Sequence, residues 1–505
     1  MIIFSSKTMI SVLFSLDDRN SLLIFTLVFL VIAECLRNRR PRNFPPGPLA
    51  LPLVGNMFSL DLRNAHRAMT ELAETYGKVY SLKLGSTWTV VLNGLSTMQE
   101  ALLNKGDILN DRPVIPLHVD ALSVEIFDLY ICIIFTNGHL WKEQRRFALF
   151  TLKYFGVGKR SLESSILNEF IYLSKEFANE KGKPFNPHYI INKAVSNIIC
   201  SLVFGQRFDY CDEKFLKMTH LVDKVLYNAF PMLMKHFPGP HHTVQKIYSE
   251  ILKLLKTEID QHKKDLDPSE PRDFIDCYLN EIQKDGVVDS VFHEENLVTC
   301  VFDLFVAGTE TTSTTLRWAL LYMAKYTEIQ EKVQAEIDRV IGQSRQPSME
   351  DRPKLPYTDA VIHELQRISN IVPLSLPHVT KREVQLEGYK IPKGVTVIPN
   401  LTSVLFDKST WETPYTFNPG HFLNKEGKFV KQAAFIPFSL GKRACLGENL
   451  ARMELFLFFT SFMQRFTFSM PPGMEPVFKP QASITLKPSE YEICITQREV
   501  CQSRI

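Results

Sequence analysis

Phe438-Ser439-Leu440-Gly441-Lys442-Arg443-Ala444-Cys445-Leu446-Gly447 carries the densest chemistry in the chain. One thiol sits between two glycines, beside an arginine, and just ahead of the run Glu448 to Phe459, which reads as an amphipathic helix. This pattern describes a tight loop whose amides point at the sulfur before the chain enters a helix, and both features favour a thiolate at Cys445. A metal held by a single cysteine draws its other ligands from elsewhere. The iron of a haem meets that condition, because the porphyrin supplies four ligands and the thiolate only the axial one.

A second concentration is Ala307-Gly308-Thr309-Glu310-Thr311-Thr312-Ser313-Thr314-Thr315, inside the apolar stretch Leu297 to Met323. A glycine and β-branched threonines each lower helix stability by a few tenths to about 1 kcal/mol, and such a local cost often marks function. The competing reading is a threonine-rich helix whose hydroxyls bond back to carbonyls four residues earlier. Glu364 and Arg367 are spaced i, i+3 in the helical run Asp359 to Ile368 and share a face. Trp141 and Arg145 share another at i, i+4, with Lys142 and Arg146 displaced by about 100° around the helix. Gly156-Val157-Gly158-Lys159 lacks the third glycine of a dinucleotide fingerprint and the upstream glycine of a phosphate loop. Electrons for any redox chemistry are therefore expected from another protein.

The chain that must position these groups has 505 residues, 45% of them hydrophobic and 22% charged, with a net charge of +3. That balance argues against nucleic acid as a partner. Nine scattered cysteines without a CxxC pair argue for reduced thiols and against a structural zinc site. The pattern is mainly α with a small β region. Glu328 to Ile341 places Ile329, Val333, Ile337 and Val340 on one helix face. Val79 to Leu84 and Thr87 to Leu92 flank Gly85-Ser86 as a hairpin, and Glu387-Gly388-Tyr389 and Lys393-Gly394-Val395 punctuate short strands. Residues 1–40 read as an uncleaved membrane anchor, because the uncharged run Ser21 to Ala33 is followed by Arg37, Arg39, Arg40 and Arg42. The body is then cytosolic, and the sequon Asn400-Leu401-Thr402 goes unused. Residues 41–49, with Phe44-Pro45-Pro46-Gly47-Pro48, form a stiff hinge. Residues 50–505 form one catalytic unit, large enough for two lobes.

The cysteine segment matches FxxGxRxCxG at Phe438, Gly441, Arg443, Cys445 and Gly447, and by it the chain resembles the cytochrome P-450 family. The resemblance implies the cytochrome P-450 fold, with haem b (iron protoporphyrin IX) between a long distal helix and a proximal cysteine loop. It makes Cys445 the axial thiolate and Arg443 a haem-propionate contact, packs Phe438 on the sulfur side, and has Gly447 let the next helix approach closely. Ala307 and Gly308 match the oxygen-activating motif, where Gly308 leaves room for dioxygen while Glu310 and Thr311 deliver protons as an acid and alcohol pair. Trp141, Arg145 and His378 correspond to further propionate contacts. Glu364 and Arg367 correspond to a structural pair completed by His421 of Pro419-Gly420-His421-Phe422.

The densest matches, HEENLVTCVFDLFVAGTETTSTTLRWALLYMA, AVSNIICSLVFG and WKEQRRF, resemble vertebrate family 2 and its J subfamily. That likeness implies a monooxygenase of the endoplasmic reticulum that oxidises apolar substrates, epoxidising or hydroxylating polyunsaturated fatty acids such as arachidonate and acting on xenobiotics. Dioxygen is the co-substrate. NADPH-cytochrome P-450 reductase is the implied electron donor, the microsomal b-type cytochrome a further one, and Lys142, Arg146 and Lys442 a basic docking patch. By position Val306, Leu374 and Ile484 line the substrate pocket, with no basic residue in those segments marking a carboxylate anchor. Two stretches depart from the family: the apolar insertion around Ile126 to Phe135 and the shortened Leu221 to Pro231. They keep open a non-catalytic haem or lipid binder beside the monooxygenase, and intact Glu310 and Thr311 disfavour a donor-independent peroxide rearrangement.

Overall fold

The computed structural model describes residues 22–26, 28–29, 33, 39–52, 54–61, 64–85, 87–114, 133–212, 215, 240–285, 291–482 and 485–498. Its longer helices are α1 (Ala65–Tyr76), α2 (Gly138–Tyr154), α3 (Arg160–Asn179), α4 (His188–Val203), α5 (Pro240–Lys264), α6 (Phe274–Asp285), α7 (Glu294–Lys325), α8 (Thr327–Val340), α9 (Pro356–Ser369) and α10 (Glu448–Arg465). The strands are β1 (Val79–Leu84), β2 (Thr87–Leu92), β3 (His378–Val379), β4 (Val384–Leu386), β5 (Tyr389–Ile391), β6 (Thr396–Pro399), β7 (Phe466–Ser469), β8 (Pro480–Ala482), β9 (Leu486–Pro488) and β10 (Cys494–Gln497).

Helix α8 buries Ile329, Val333 and Ile337 as its periodicity requires. The 32-residue α7 starts where the His293 side chain accepts from the Asn296 amide, with Glu294 and Glu295 in its first turn and Lys325 in its last. It packs against α4, α5 and α10. Helix α10 corrects the sequence reading. Past its partly exposed first turn, every residue from Met453 to Gln464 is buried, so it is a core helix rather than an amphipathic one. Enclosure on several sides removes the polar face that a surface helix keeps.

The expected β1–β2 hairpin is present, with Tyr80 opposite Val91. It continues through parallel β6 to antiparallel β3, in the order β1-β2-β6-β3. Strands β4 and β5 are joined at Glu387 and Gly388, both at positive φ, as a tight two-residue hairpin demands. The main core is built from the helices. A second apolar cluster gathers Val90, Val397, Trp411, Phe422 and Phe435 around the sheet, and a third, smaller one gathers Leu60, Met69, Tyr80, Leu82 and Val91.

The proline stretch is bound along its length. Ser81 donates to Pro46 O from its amide (2.6 Å) and to Pro45 O from its hydroxyl (2.8 Å). Lys390 N donates to Asn43 O at 2.8 Å, and Phe44 meets Trp88 edge-on. Residues 22–26, 28 and 29 are helical and 22–26, 28 and 29 are exposed, but no described helix is long and apolar enough to cross a membrane. The anchor expected over 1–40 falls largely outside the described residues, as do Ile126 to Cys132 and Leu221 to Pro231. The reduced-thiol reading needs one correction: Cys300 on α7 is disulfide-bonded, while Cys200, Cys211, Cys277, Cys445 and Cys494 are free. Its partner thus lies outside the described residues, and linear scatter of cysteines could not reveal a spatial pair. The sequon asparagine, Asn400, is buried and donates to Thr70 and Asn93.

A Cβ at Gly47 would stand 1.9 Å from Ser81 O. Gly47→Ala is therefore expected to lift residues 41–49 off β1, lowering the melting temperature by several degrees and making this segment the first site of limited proteolysis.

Candidate active site

The cysteine loop is shaped by backbone strain that its residues tolerate. Ser439 and Gly441 both have positive φ, and a Cβ at Gly441 would stand 2.2 Å from Leu102 O. Glycine is obligatory there for conformation and for clearance. Cys445 N donates to Phe438 O at 3.0 Å, closing the loop. Phe438 is held from behind by the Arg452 guanidinium, 5.1 Å from its ring centroid. Cys445 is surrounded by protein in depth yet its side chain is accessible, and both are true of a group lining an internal cleft. Burial holds its thiol above the usual range, with the Gly447 amide pulling the other way, so the donors expected to favour a thiolate do not prevail by themselves. Gly447 also differs from expectation. A Cβ there meets no protein atom within 4 Å, so helix packing does not require the glycine.

Beside this loop lie three arginines that have no carboxylate partner among the described residues. Arg443 donates to Asn110 O at 2.7 Å, and to Thr136 O and Asn137 Oδ1. Arg112 donates to Leu376 O at 2.8 Å and Pro377 O at 2.9 Å, while Arg145 donates to Ala444 O at 2.7 Å. The Arg443 guanidinium lies 3.9 Å from the Trp141 ring centroid. His378 Nδ1 donates to Leu109 O at 2.6 Å. Burial, then Arg112, holds the His378 ring down at about 3, and burial, then Arg112, lowers Arg443 to about 9. Buried Arg112 Nε and Trp141 Nε1 have no partner among the described residues. Burying several cations without anions is unfavourable. Unspent donors, a like-charged cluster and an adjacent accessible cysteine fit a ligand with two carboxylates and a thiolate-bound iron, as haem has. The sequence expectation gathered Trp141, Arg145, His378 and Arg443 here; it missed Arg112.

Between Cys300 and Ala324 of α7 the positions that are not buried are Leu304, Val306, Ala307, Gly308 and Thr311. Ala307 is the exposed one. Gly308 has a duty the sequence did not indicate: a Cβ would meet Ile199 Cδ1 at 2.3 Å, so the glycine lets α4 approach. The threonine hydroxyls divide their work. Thr309 accepts from Ser196, Thr312 donates to Glu454, and Thr314 donates to Glu310. Thr311 donates back to Ala307 O at 2.7 Å, as the competing reading described. Glu310 points away from Thr311, accepting from Thr485 at 2.8 Å and pairing with Lys487 at 3.1 Å.

Glu364 and Arg367 form a fully buried bidentate pair, both bonds 2.7 Å. Arg367 also donates to Leu405 O and Pro414 O, and Glu364 accepts from Asn418 N. His421 Nε2 accepts from the Thr413 amide, which leaves Nδ1 to donate to Glu364 at 3.2 Å. Val306 and Leu374 are partly buried beside the apolar clusters, and Ile484 lies outside the described residues. Lys142 and Arg146 are exposed on α2 as expected. Arg146 pairs with Glu143 and Lys442 with Asp107, so the patch is less positive than its lysines and arginines indicate.

Two outcomes follow from these contacts. Arg367→Met strands a buried carboxylate and is expected to cost about 3–5 kcal/mol, read as loss of soluble, haem-retaining protein on expression. Burial raises the Glu454 carboxyl to about 8. The folded state then holds a proton that the unfolded chain releases above the ordinary carboxyl pKa, so this group loses stability as pH rises from about 4.5 to 8. Glu454→Gln should flatten the melting temperature over that window and raise it at pH 8.

The comparisons agree with this arrangement. The family model described as Cytochrome P450 matches residues 45–495. Cytochrome P450 2J2 of Homo sapiens is 48% identical over 485 residues, covering 94% of this chain and 95% of that one. Cytochrome P450 2J1 of Oryctolagus cuniculus is 47% identical over 489 residues, covering 95% and 96%, and cytochrome P450 2C23 of Rattus norvegicus is 43% identical over 495 residues, covering 94% and 99%. An accessible cysteine in a strained loop, a cradle of unpaired cations and a buried carboxylate–arginine pair thus occur in a chain that belongs to the cytochrome P450 family of haem-thiolate monooxygenases.

Proposed function

We propose that this monooxygenase acts at the endoplasmic reticulum membrane on apolar substrates, polyunsaturated fatty acids such as arachidonate and xenobiotics among them. Electrons come from NADPH through its reductase. The balance is substrate, dioxygen, NADPH and a proton giving oxygenated substrate, water and NADP+. When bound, haem supplies the chemistry that activates dioxygen, with a thiolate donating electron density to the iron.

The observation that carries this reading is the cluster of Arg112, Arg145, Arg443 and His378 next to accessible Cys445. Arg112, Arg145 and Arg443 would hold the two propionates, with Trp141 Nε1 and Arg112 Nε as remaining donors. His378 stays neutral across the working pH range and donates through one nitrogen only. Across the cleft, Ala307 keeps the helix surface low where substrate and oxygen must meet. The Thr311 hydroxyl is the accessible proton carrier on that stripe, and Glu310 is the acid adjacent to it in sequence. Val306, Leu374 and the neighbouring Ile371 offer apolar contact and exclude water.

In membranes, the reduced protein with carbon monoxide should show the strongly red-shifted Soret band of thiolate ligation, and arachidonate should yield oxygenated products only with NADPH and reductase. Cys445→Ser should abolish that band. Thr311→Ala should keep it while lowering product per NADPH about tenfold or more; unchanged product per NADPH would remove Thr311 from proton delivery.

A further inference from the structure

Lys487 is a buried lysine on β9, and its ammonium lies 3.1 Å from Glu310 Oε1. The same oxygen accepts from the Thr485 hydroxyl at 2.8 Å and from Thr314 at 3.4 Å. The strand is itself fixed on both sides. Leu486 O accepts from Trp318 Nε1 of α7 at 2.8 Å, and Leu486 N donates to Ile371 O at 2.8 Å. Lys487 is therefore presented to Glu310 by a strand that has little freedom to move. Other charges approach this stretch of α7 indirectly: α10 brings Glu454 to Thr312, Tyr491 bonds to Arg317 O, and α4 contributes the Ser196 hydroxyl.

We propose that Lys487 is a positioning residue for the acid of the distal helix, holding Glu310 turned toward the C-terminal hairpin and away from Thr311 until the pair opens. The inference rests on the proton-delivery reading of Glu310 given above. Two features of the geometry support it. A carboxylate enclosed by protein is stabilised by a nearby opposite charge, and Lys487 supplies one within ion-pair distance. A residue in that arrangement also decides which way the carboxylate faces, because all three of the bonds named above converge on one oxygen. Without Lys487, Glu310 loses the cation that fixes its orientation and is free to turn. Proton transfer then ceases to be timed, and electrons leave as hydrogen peroxide at the expense of product.

The test uses the full chain with haem and reductase in membranes. Competitive amine labelling read by peptide mass spectrometry should find Lys487 poorly reactive. In Glu310→Gln its reactivity should rise at least fivefold, with buried Lys83 unchanged; no rise means the pair does not exist in solution, and the inference falls. Lys487→Met should keep the carbon monoxide band and lower product per NADPH at least threefold, and Lys487→Arg should restore it to within twofold. Unchanged coupling in Lys487→Met, or no rescue by arginine, overturns the positioning role. Should Lys487→Met fail to retain haem, the double variant Lys487→Met/Glu310→Gln, which removes both charges, must match Glu310→Gln in product per NADPH, and a further loss overturns the proposal. If Glu310→Gln itself leaves coupling unchanged while Lys487 labelling rises, the failure belongs to the acid assignment of Glu310, and the positioning role ends with it.

Discussion

Glu364 and Arg367 are enclosed without solvent, and the irregular chain that follows is organised around them. A buried guanidinium needs every one of its donors satisfied. Arg367 meets that need with Glu364 and with carbonyls from Leu405, Pro414 and Thr416; Leu405 ends a one-turn helix, Thr402–Leu405, and the other two lie in irregular chain. Glu364 returns the constraint through Asn418 N and His421. A single ion pair on one turn of α9 thereby fixes the path of residues 405–422, a stretch that has almost no ladder hydrogen bonds of its own. That path leads into the segment ending at Cys445. The thiol's position is thus inherited from a charge pair far from it in sequence.

The surroundings of the cysteine loop and those of α7 are held by different physics. Around the loop the arginines spend most of their hydrogen bonds on backbone carbonyls. On α7 each threonine hydroxyl has a partner, and Glu310 has three. Completeness restrains motion, and incompleteness attracts a ligand. Most of α7 is buried, so in its middle the groups it leaves accessible are confined to Leu304, Val306, Ala307, Gly308 and Thr311.

Local patterns were legible where one element's own spacing sufficed. The 3.6-residue period of Glu328 to Ile341, the two apolar runs flanking Gly85-Ser86 and the i, i+3 spacing of Glu364 and Arg367 each contain the geometry they adopt. The cysteine loop was legible in part because Gly441 is forced by backbone conformation and clearance, whereas Gly447 is not. Elsewhere the determinant lay on a partner far away. Gly308 answers to Ile199, Lys442 to Asp107 and Glu310 to Lys487, and no periodicity announces such pairs. Arg112 matches none of the spacings that single out the other site residues. Its meaning comes from Arg443 and Arg145, which the fold brings beside it. Helix α10 misled for a related reason: a mixed sequence looks amphipathic when its neighbours on the polar side are unknown.

Residues 41–49 lie clamped between β1 and the β4–β5 hairpin. A clamp of that kind is a mechanical coupling. Any load entering the chain ahead of residue 39 is delivered first to Ser81 and Lys390 through backbone hydrogen bonds, in a geometry that resists shear along β1. The β1-β2-β6-β3 sheet carries His378 on its last strand, so the segment and one edge of the cationic cradle are registered to the same sheet. The N-terminal approach of the chain and the orientation of the cleft are consequently one rigid angle, set by the pitch of a four-stranded sheet and not by a swivel.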